Sequence, residues 1–224
     1  PKDFPELSEQ YDLRYFLQHS QWGLDLVRSG NIYNASVFGL WPAGGDTDEW
    51  SPAGVDKTLD IIGYVKIHWD KKSWSKRLVD LIINSLVSRG LVVTRIVYGE
   101  YEPGEYKHLL SIAKAMVFLS PHESQGFACI EAMSSGVPIF AWDPGFWLDP
   151  DQERLGLSQV PATSVPFFDE RCGATFRDAA AFESDFDEFW EDVSIGHLRP
   201  RDYVIENVSI ERSTDQMLAY YDEL

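Results

Sequence analysis

Two glutamates eight positions apart, Glu123 and Glu131, bracket the run Ser-Gln-Gly-Phe-Ala-Cys-Ile. An apolar segment, Met116 to Leu119, precedes them, and helical spacing runs from Ser124 to Ser134. A chain that leaves a strand and enters a helix through Ser124-Gln125-Gly126 exposes backbone N–H groups. Those groups carry partial positive charge and hold a diphosphate without a lysine. Counted on one helix, Glu131 falls on the stripe of Ser124, Phe127 and Ala128, with the two carboxylates on the order of 10 Å apart. That span suits one carboxylate near a sugar, a diphosphate over the helix end, and the other carboxylate on a ribose. A ribose 2′,3′-diol donates the two hydrogen bonds that one carboxylate accepts. The bare pair of glutamates is common in acidic chains; the strand before it and Gly136-Val137-Pro138 after it give it weight.

The elements that must position these groups alternate in kind. Strands are expected at Ile61–Lys66, Leu91–Tyr98, Met116–Leu119 and Val137–Trp142, and helices at Ser73–Ser88, Gly104–Ala115 and Ser124–Ser134. Short, continuously apolar strands between helices predict a parallel sheet covered on both faces, with right-handed crossovers: an α/β, Rossmann-like doubly wound domain. Ligands bind such sheets beyond the C-terminal strand ends, where the strand order reverses. The turn after Lys66 and the segment Ser120 to Phe127 are the two places that qualify. Residues 1–30 carry helical periodicity through Leu13, Phe16, Leu17, Leu24, Leu26 and Val27, ending at Ser29-Gly30. Val37–Trp41 reads as a strand, and Asp46–Val55 as a linker that separates residues 1–50 from a binding domain at 51–224. Further on, Val165–Phe168 and Ala174–Phe176 read as short strands. Ala179–Val193 reads as an acidic amphipathic helix and Ile210–Leu224 as a closing helix.

A formal net charge of −17 repels nucleic acid and anionic membranes, so neither is an expected partner, and any phosphate site must work through local geometry. No apolar run approaches the roughly 18 residues of a membrane span. The two cysteines, Cys129 and Cys172, are too few for a disulfide scaffold and lack zinc-site spacing. Asp46 and Asp48 form no metal cluster. A cytoplasmic setting and chemistry independent of metal are the expectation. Pro1 is not a native start and no signal-peptide pattern follows it, which leads us to expect a fragment, a processed product or a trimmed form. Among the eight tryptophans, Trp22 and Trp190 read as packing, while Trp50, Trp142 and Trp147 lie near strand ends. None is assigned to a ligand, because aromatic side chains fill cores more often than they line sugar sites. His122, inside the motif, reads as an incidental loop histidine or as a ligand contact, the former being commoner, and Asp143-Pro144-Gly145-Phe146 as a turn or as pocket lining.

The stretch Glu123-Ser-Gln-Gly-Phe-Ala-Cys-Ile-Glu131-Ala-Met-Ser-Ser-Gly-Val-Pro-Ile-Phe-Ala-Trp142 resembles the signature of the family-4 (group 1) retaining GT-B glycosyltransferases. Trp41-Pro-Ala-Gly-Gly-Asp-Thr-Asp-Glu-Trp50 is similar to the segment that opens the C-terminal domain there, and the resemblance covers about residues 36–224. It implies that Glu123 contacts the donor sugar near its reacting end as the catalytic carboxylate, and that Glu131 holds the ribose. It also implies that Ser124, Gln125, Gly126 and Phe127 cradle the diphosphate. The family carries an Arg after the first strand of this domain and a Lys about five residues later. Here those positions are Lys66 and either Lys71 or Lys72; Lys keeps the charge and loses the bidentate fork. Tyr98 and Gly99, in Tyr98-Gly-Glu-Tyr101, are the nearest match to the turn beside the base.

The activity so implied is retaining transfer, of hexosyltransferase type, from a UDP- or GDP-type sugar to an unidentified sugar or lipid-linked acceptor. No metal or other cofactor is implied. Residues 1–50 would be the remnant of an N-terminal GT-B domain and its linker. Without that domain the chain is expected to bind nucleotide and to turn over little, and the apolar face so uncovered gives two copies reason to pair as a homodimer. Two alternatives stand beside this one. Lys66 in the place of Arg motivates a non-catalytic nucleotide-sugar-binding regulatory module. The shared architecture allows a nucleotide-sugar epimerase.

Overall fold

The computed structural model describes residues 15–30, 37–67, 74–149, 152 and 156–223. Its centre is a five-stranded, wholly parallel sheet in the order β4-β3-β5-β6-β7. The strands are β3 (Leu59–Val65), β4 (Val93–Val97), β5 (Ala113–Leu119), β6 (Ile139–Trp142) and β7 (Gly173–Phe176). Strands β3 and β5 are apolar at nearly every position and buried on both faces, which a parallel sheet requires. Ile62, Tyr64, Met116, Phe118 and Ile139 point into one core. Helices α3 (Pro103–Ile112), α4 (Phe127–Ser134) and α6 (Pro200–Asn207) cover that face. Ile61, Val65, Val117, Phe140 and Phe176 point the other way, under α2 (Trp74–Ser88) and α5 (Ala179–Ser194). There Phe140 stacks on Phe189 at 5.0 Å, and Phe182 and Phe186 fill the remaining space. The expected doubly wound α/β domain is therefore present.

Several boundaries differ from the sequence reading. The helix expected over Gly104–Ala115 stops at Ile112, and Ala113 turns extended and enters β5 with no loop. Ladder partners decide this: Ala113 pairs with Leu59 and Ala115 with Ile61, so cross-strand pairing overrides the helix preference of alanine. Val165–Phe168 is not a strand. Pro166 cannot donate to a ladder, and Val165 and Phe167 bury their side chains in the core without one. Phe16 and Leu17, expected in a helix, lie in strand β1 (Tyr15–Gln18), which pairs in parallel with β2 (Val37–Leu40). The helix α1 (Gln21–Gly30) between them makes a βαβ unit. Helix α6 carries the signal of Pro at its start, but only Pro200 and Val204 are buried, so its apolar periodicity is too sparse to read.

The closing helix, observed as α7 (Ile210–Asp222), packs back on β2. Gln216 and Tyr220 both donate to the Leu40 carbonyl, and Trp41 donates its indole N–H to the Ser213 carbonyl. Arg201 of α6 donates to the carbonyls of Thr47, Trp50 and Ser134. That fan ties the 46–55 segment to the C-terminal end of α4. No helix among the described residues is long and apolar enough to cross a membrane.

Candidate functional site

The sheet order makes the switch point explicit. From β3 the chain moves outward to β4, then returns to the other side of β3 as β5. The crevice beyond the C-terminal ends of β3 and β5 is thus where a ligand fits. Lys66 leaves β3 there, its N–H bonded to the Leu119 carbonyl at the end of β5. The two places read separately from the sequence are one place in space.

Ser120 to Gly126 connects β5 to α4. Expected from Ser124, the helix begins only at Phe127, because Gly126 sits at its N-cap in the left-handed region, φ 70°. A Cβ at Gly126 would meet nothing closer than 3.6 Å. Backbone conformation rather than space therefore calls for glycine. The first bonds of the helix come from the N–H groups of Cys129 and Ile130 to the Gly126 carbonyl, so the N–H groups of Phe127 and Ala128 precede them. At the far end Gly136, φ 75°, closes α4. The Gly136 N–H bonds to Met133 and that of Val137 to Ala132, the pattern of a Schellman cap. Because Ser124 is not helical, it shares no helical stripe with Glu131.

Glu123 is 5% exposed, and both its oxygens are engaged. Lys66 Nζ lies 2.8 Å from Oε2, and Ser120 Oγ donates to Oε1 at 3.0 Å. Lys66 also lies over the Tyr98 ring, 4.7 Å from its centroid. The backbone of Glu123 is held from two more sides. Its N–H donates to the Thr163 carbonyl, and its carbonyl accepts from Trp22 Nε1 at 2.7 Å. Thr163 Oγ1 in turn donates to Asp143, which also caps the Gly145 N–H. Asp143 thus serves as the anchor of its turn.

A cleft of about 500 Å³ opens over this corner. Lys66, Tyr98, Glu123, Ser124, Gln125, Gly126, Phe127 and Glu131 all line it, together with Tyr64, Tyr101 and Tyr106. Gly99 occupies the turn after β4 with φ 81° and is not among the lining residues; Tyr101 is. Lys71 and Lys72 lie outside the described residues. Burial pushes the Glu131 carboxyl up to about 7. Tyr101 and Tyr106 interact electrostatically with it; Tyr101 shares a hydrogen bond of 2.7 Å with Tyr64, and Tyr106 donates to the Ala128 carbonyl. A carboxylate desolvated among aromatic rings, with Lys66 committed to Glu123, is ready to accept hydrogen bonds from neutral hydroxyls.

Sequence reasoning missed Ser120 as the partner of Glu123, although it lay inside the segment singled out. It also missed Trp22, assigned to packing, and the tyrosines Tyr64 and Tyr106. No local signal marks Tyr64 or Tyr106, which read as ordinary strand and helix residues.

Residues 55–149 match the family model of the glycosyl transferases group 1, so the resemblance carried by Glu123–Trp142 is borne out over that stretch. No curated protein matches the chain by sequence. Among solved structures, a glycosyltransferase from Rickettsia africae ESF-5 is similar at 12% identity and a TM-score of 0.62, over 100% of this chain and 67% of that one. A sucrose-phosphate synthase from Thermosynechococcus elongatus is similar at 16% identity and 0.58, over 93% and 58%. The pneumococcal O-GlcNAc transferase GtfA, solved with UDP and GlcNAc, is similar at 11% identity and 0.56, over 99% and 47%. These likenesses establish the fold, a Rossmann-like domain of the GT-B kind. The chain spans from about half to two thirds of the length of these structures.

Proposed function

We propose that this chain is the donor-binding part of a glycosyltransferase that takes a sugar from a nucleoside diphosphate. The observation that carries the reading is the convergence of Lys66, Glu123, Glu131 and the left-handed Gly126 on one cleft at the switch point. Glu131 accepts the ribose hydroxyls, and Tyr98 and Tyr101 flank the base. Lys66 and the first N–H groups of α4 take the diphosphate. As the bond to the sugar breaks, charge builds on that diphosphate, and groups already aimed at it stabilise the transition state. Glu123, buried and oriented by Ser120, faces the sugar end.

Retention at the anomeric carbon is the outcome that the group 1 resemblance implies. We favour front-face transfer, in which the leaving phosphate assists the incoming hydroxyl. UDP in the solved GtfA complex supports a uridine nucleotide as the first to try. Closing the site and excluding water need a second domain against this one, so the chain by itself is proposed to bind nucleotide with little turnover.

Calorimetric titration with UDP, GDP and ADP tests the reading. One nucleotide should bind in the micromolar range, about −8 kcal/mol, and Glu131→Ala and Lys66→Ala should each weaken it. Absence of binding by all three at millimolar concentration would overturn the proposal.

A further inference from the structure

Strand β4 is an edge of the five-stranded sheet: β3 lies on one side of it, and no described strand pairs with the other. The ladder decides which backbone groups are left at that edge. Ile61 N–H donates to the Val92 carbonyl, and Tyr98 N–H to the Val65 carbonyl. Alternate residues of a parallel ladder turn both their groups to the same neighbour, so Thr94 and Ile96 also face β3. Val93, Arg95 and Val97 therefore face outward. The Val97 carbonyl is occupied, because it accepts from the Glu100 N–H of the following turn. Among the described residues nothing bonds the N–H and carbonyl groups of Val93 and Arg95.

Soluble proteins guard such edges with proline, lysine, a bulge or a covering loop. Strand β4 reads Val-Thr-Arg-Ile-Val, rich in β-branched residues, and carries neither proline nor lysine. Its one charge, Arg95, lies 3.6 Å from Asp80 of α2. Arg89, just past the end of α2, is met by Glu183 and Asp187 of α5. Both cations are thus compensated within their own chain and do not hold a second copy off. Beside the strand, Val92 leaves an apolar side chain 57% exposed.

We propose that two copies of this chain pair through β4, antiparallel about a two-fold axis at Thr94, and so join their sheets into one. The register follows from the free groups. With Thr94 facing Thr94, Val93 of one chain and Arg95 of the other exchange both their hydrogen bonds, and the axis repeats the exchange. Other centres ask for groups already used. Registers centred on Arg95 or Ile96 need the Val97 carbonyl, and the first also sets two guanidinium groups face to face. One centred on Val93 needs the Leu91 N–H, which is bonded to the Leu86 carbonyl. Side chains agree with Thr94: threonine meets threonine, the exposed Val92 comes beside Ile96, and Arg95 lies along Val93. Tyr98, which lines the cleft, stands about 13 Å along the strand from the axis. Both clefts therefore stay open, at opposite ends of the joined sheet. The pairing does not depend on which ligand the cleft takes.

Sedimentation velocity on the chain across the micromolar range tests the pairing. The net charge of −17 opposes association at long range, so the runs belong at physiological salt, where screening cuts it to about 8 Å. A monomer–dimer equilibrium is expected. Arg95→Pro removes an outward N–H and spares the ladder to β3, a place where an edge tolerates proline. Val92→Lys puts a charge beside Ile96 of the copy and alters only an exposed side chain of the single chain. Each should weaken the dimer at least tenfold. Thr94→Cys reads the register directly. Facing residues of a non-hydrogen-bonded pair have Cα atoms about 4.5 Å apart, within reach of a disulfide. Cys129 and Cys172 are buried and do not compete. On mild oxidation Thr94→Cys should form a covalent dimer, and Arg95→Cys, which faces Val93, should do so at least tenfold more slowly. A chain monomeric throughout, with no cross-link in Thr94→Cys, would overturn the proposal. So would a dimer indifferent to Arg95→Pro and Val92→Lys, which would belong to another face. A dimer weakened by both but not cross-linked by Thr94→Cys would overturn the register. Slow hydrogen exchange of the Val93 and Arg95 amides in a monomer would mean that the chain covers its own edge, and would overturn it as well.

Discussion

Lys66 Nζ and Glu123 Oε2 stand 2.8 Å apart in the lining of the cleft. In the proposed function the cation assigned to the diphosphate is thus already paired with the carboxylate assigned to the sugar. A diphosphate that reaches Lys66 must compete with Glu123. Glu123→Gln should therefore tighten binding of the free nucleoside diphosphate several-fold, about 1 kcal/mol. Calorimetry on the accepted nucleotide checks this, and an unchanged or weaker affinity would refute the competition. Lys66→Ala has the opposite character, because it leaves a buried carboxylate with one partner fewer. It should cost about 2–3 kcal/mol of stability in urea unfolding, most of it recovered in the double variant with Glu123→Gln.

Glu131 sets a pH dependence whose sign differs between stability and binding. Burial raises its folded pKa to about 7, above the ordinary carboxylate value near 4.3. Between those values the folded chain holds more protons than the unfolded chain, so stability falls as pH rises and levels off above pH ~7. Glu131→Gln should remove that slope and stabilise the unliganded chain at pH ~8 by on the order of 2 kcal/mol. In the proposed site ribose hydroxyls would donate to the ionised carboxylate, so nucleotide affinity should instead rise from pH ~6 to ~8 and lose that rise in the variant. Unfolding and titration series across this range measure both.

Gly126 separates conformation from contact. With φ 70° and no neighbour of its missing Cβ nearer than 3.6 Å, Gly126→Ala should cost about 1–2 kcal/mol through backbone strain alone. Gly126→Asn should cost less, since asparagine tolerates the left-handed region. Both should weaken nucleotide binding in the same order, because the same turn aims the first N–H groups of α4. A thermal melt paired with calorimetry reads the two effects. Equal stability of the Ala and Asn variants would contradict the argument.

Arg201 gives a prediction remote from any ligand. Its guanidinium serves the carbonyls of Thr47, Trp50 and Ser134, and Arg201→Ala leaves all three without it. A loss of about 2–4 kcal/mol in urea unfolding is expected, with Arg201→Lys recovering part of it. A loss below about 0.5 kcal/mol would mean that water replaces the fan at no cost.

Much of this protein was legible in residue order. The run Met116–Leu119, the Gly136 stop and the alternation of apolar strands with helices report backbone conformation and burial, which neighbouring residues largely determine. From these the parallel sheet and two candidate ligand places, the turn after Lys66 and the segment Ser120 to Phe127, followed. The group 1 resemblance implied a class of ligand. The start of α4 was misjudged by three residues because Gly126 can either continue a helix or cap it in the left-handed region, and local composition does not choose.

Tertiary structure decided what depends on distant partners. Ala113 and Ala115 became strand because Leu59 and Ile61 lay opposite, and Phe16 and Leu17 became strand because β2 did. Trp22 turned from a packing residue into a support for the Glu123 carbonyl, a contact across 101 positions of chain. The Lys66–Glu123 pair arose in the same way. Helical and strand periodicity are written in the covalent neighbourhood, and one sequence carries them openly. Hydrogen bonds and ring contacts between segments exist only once the sheet has brought those segments together, and so they belong to the fold.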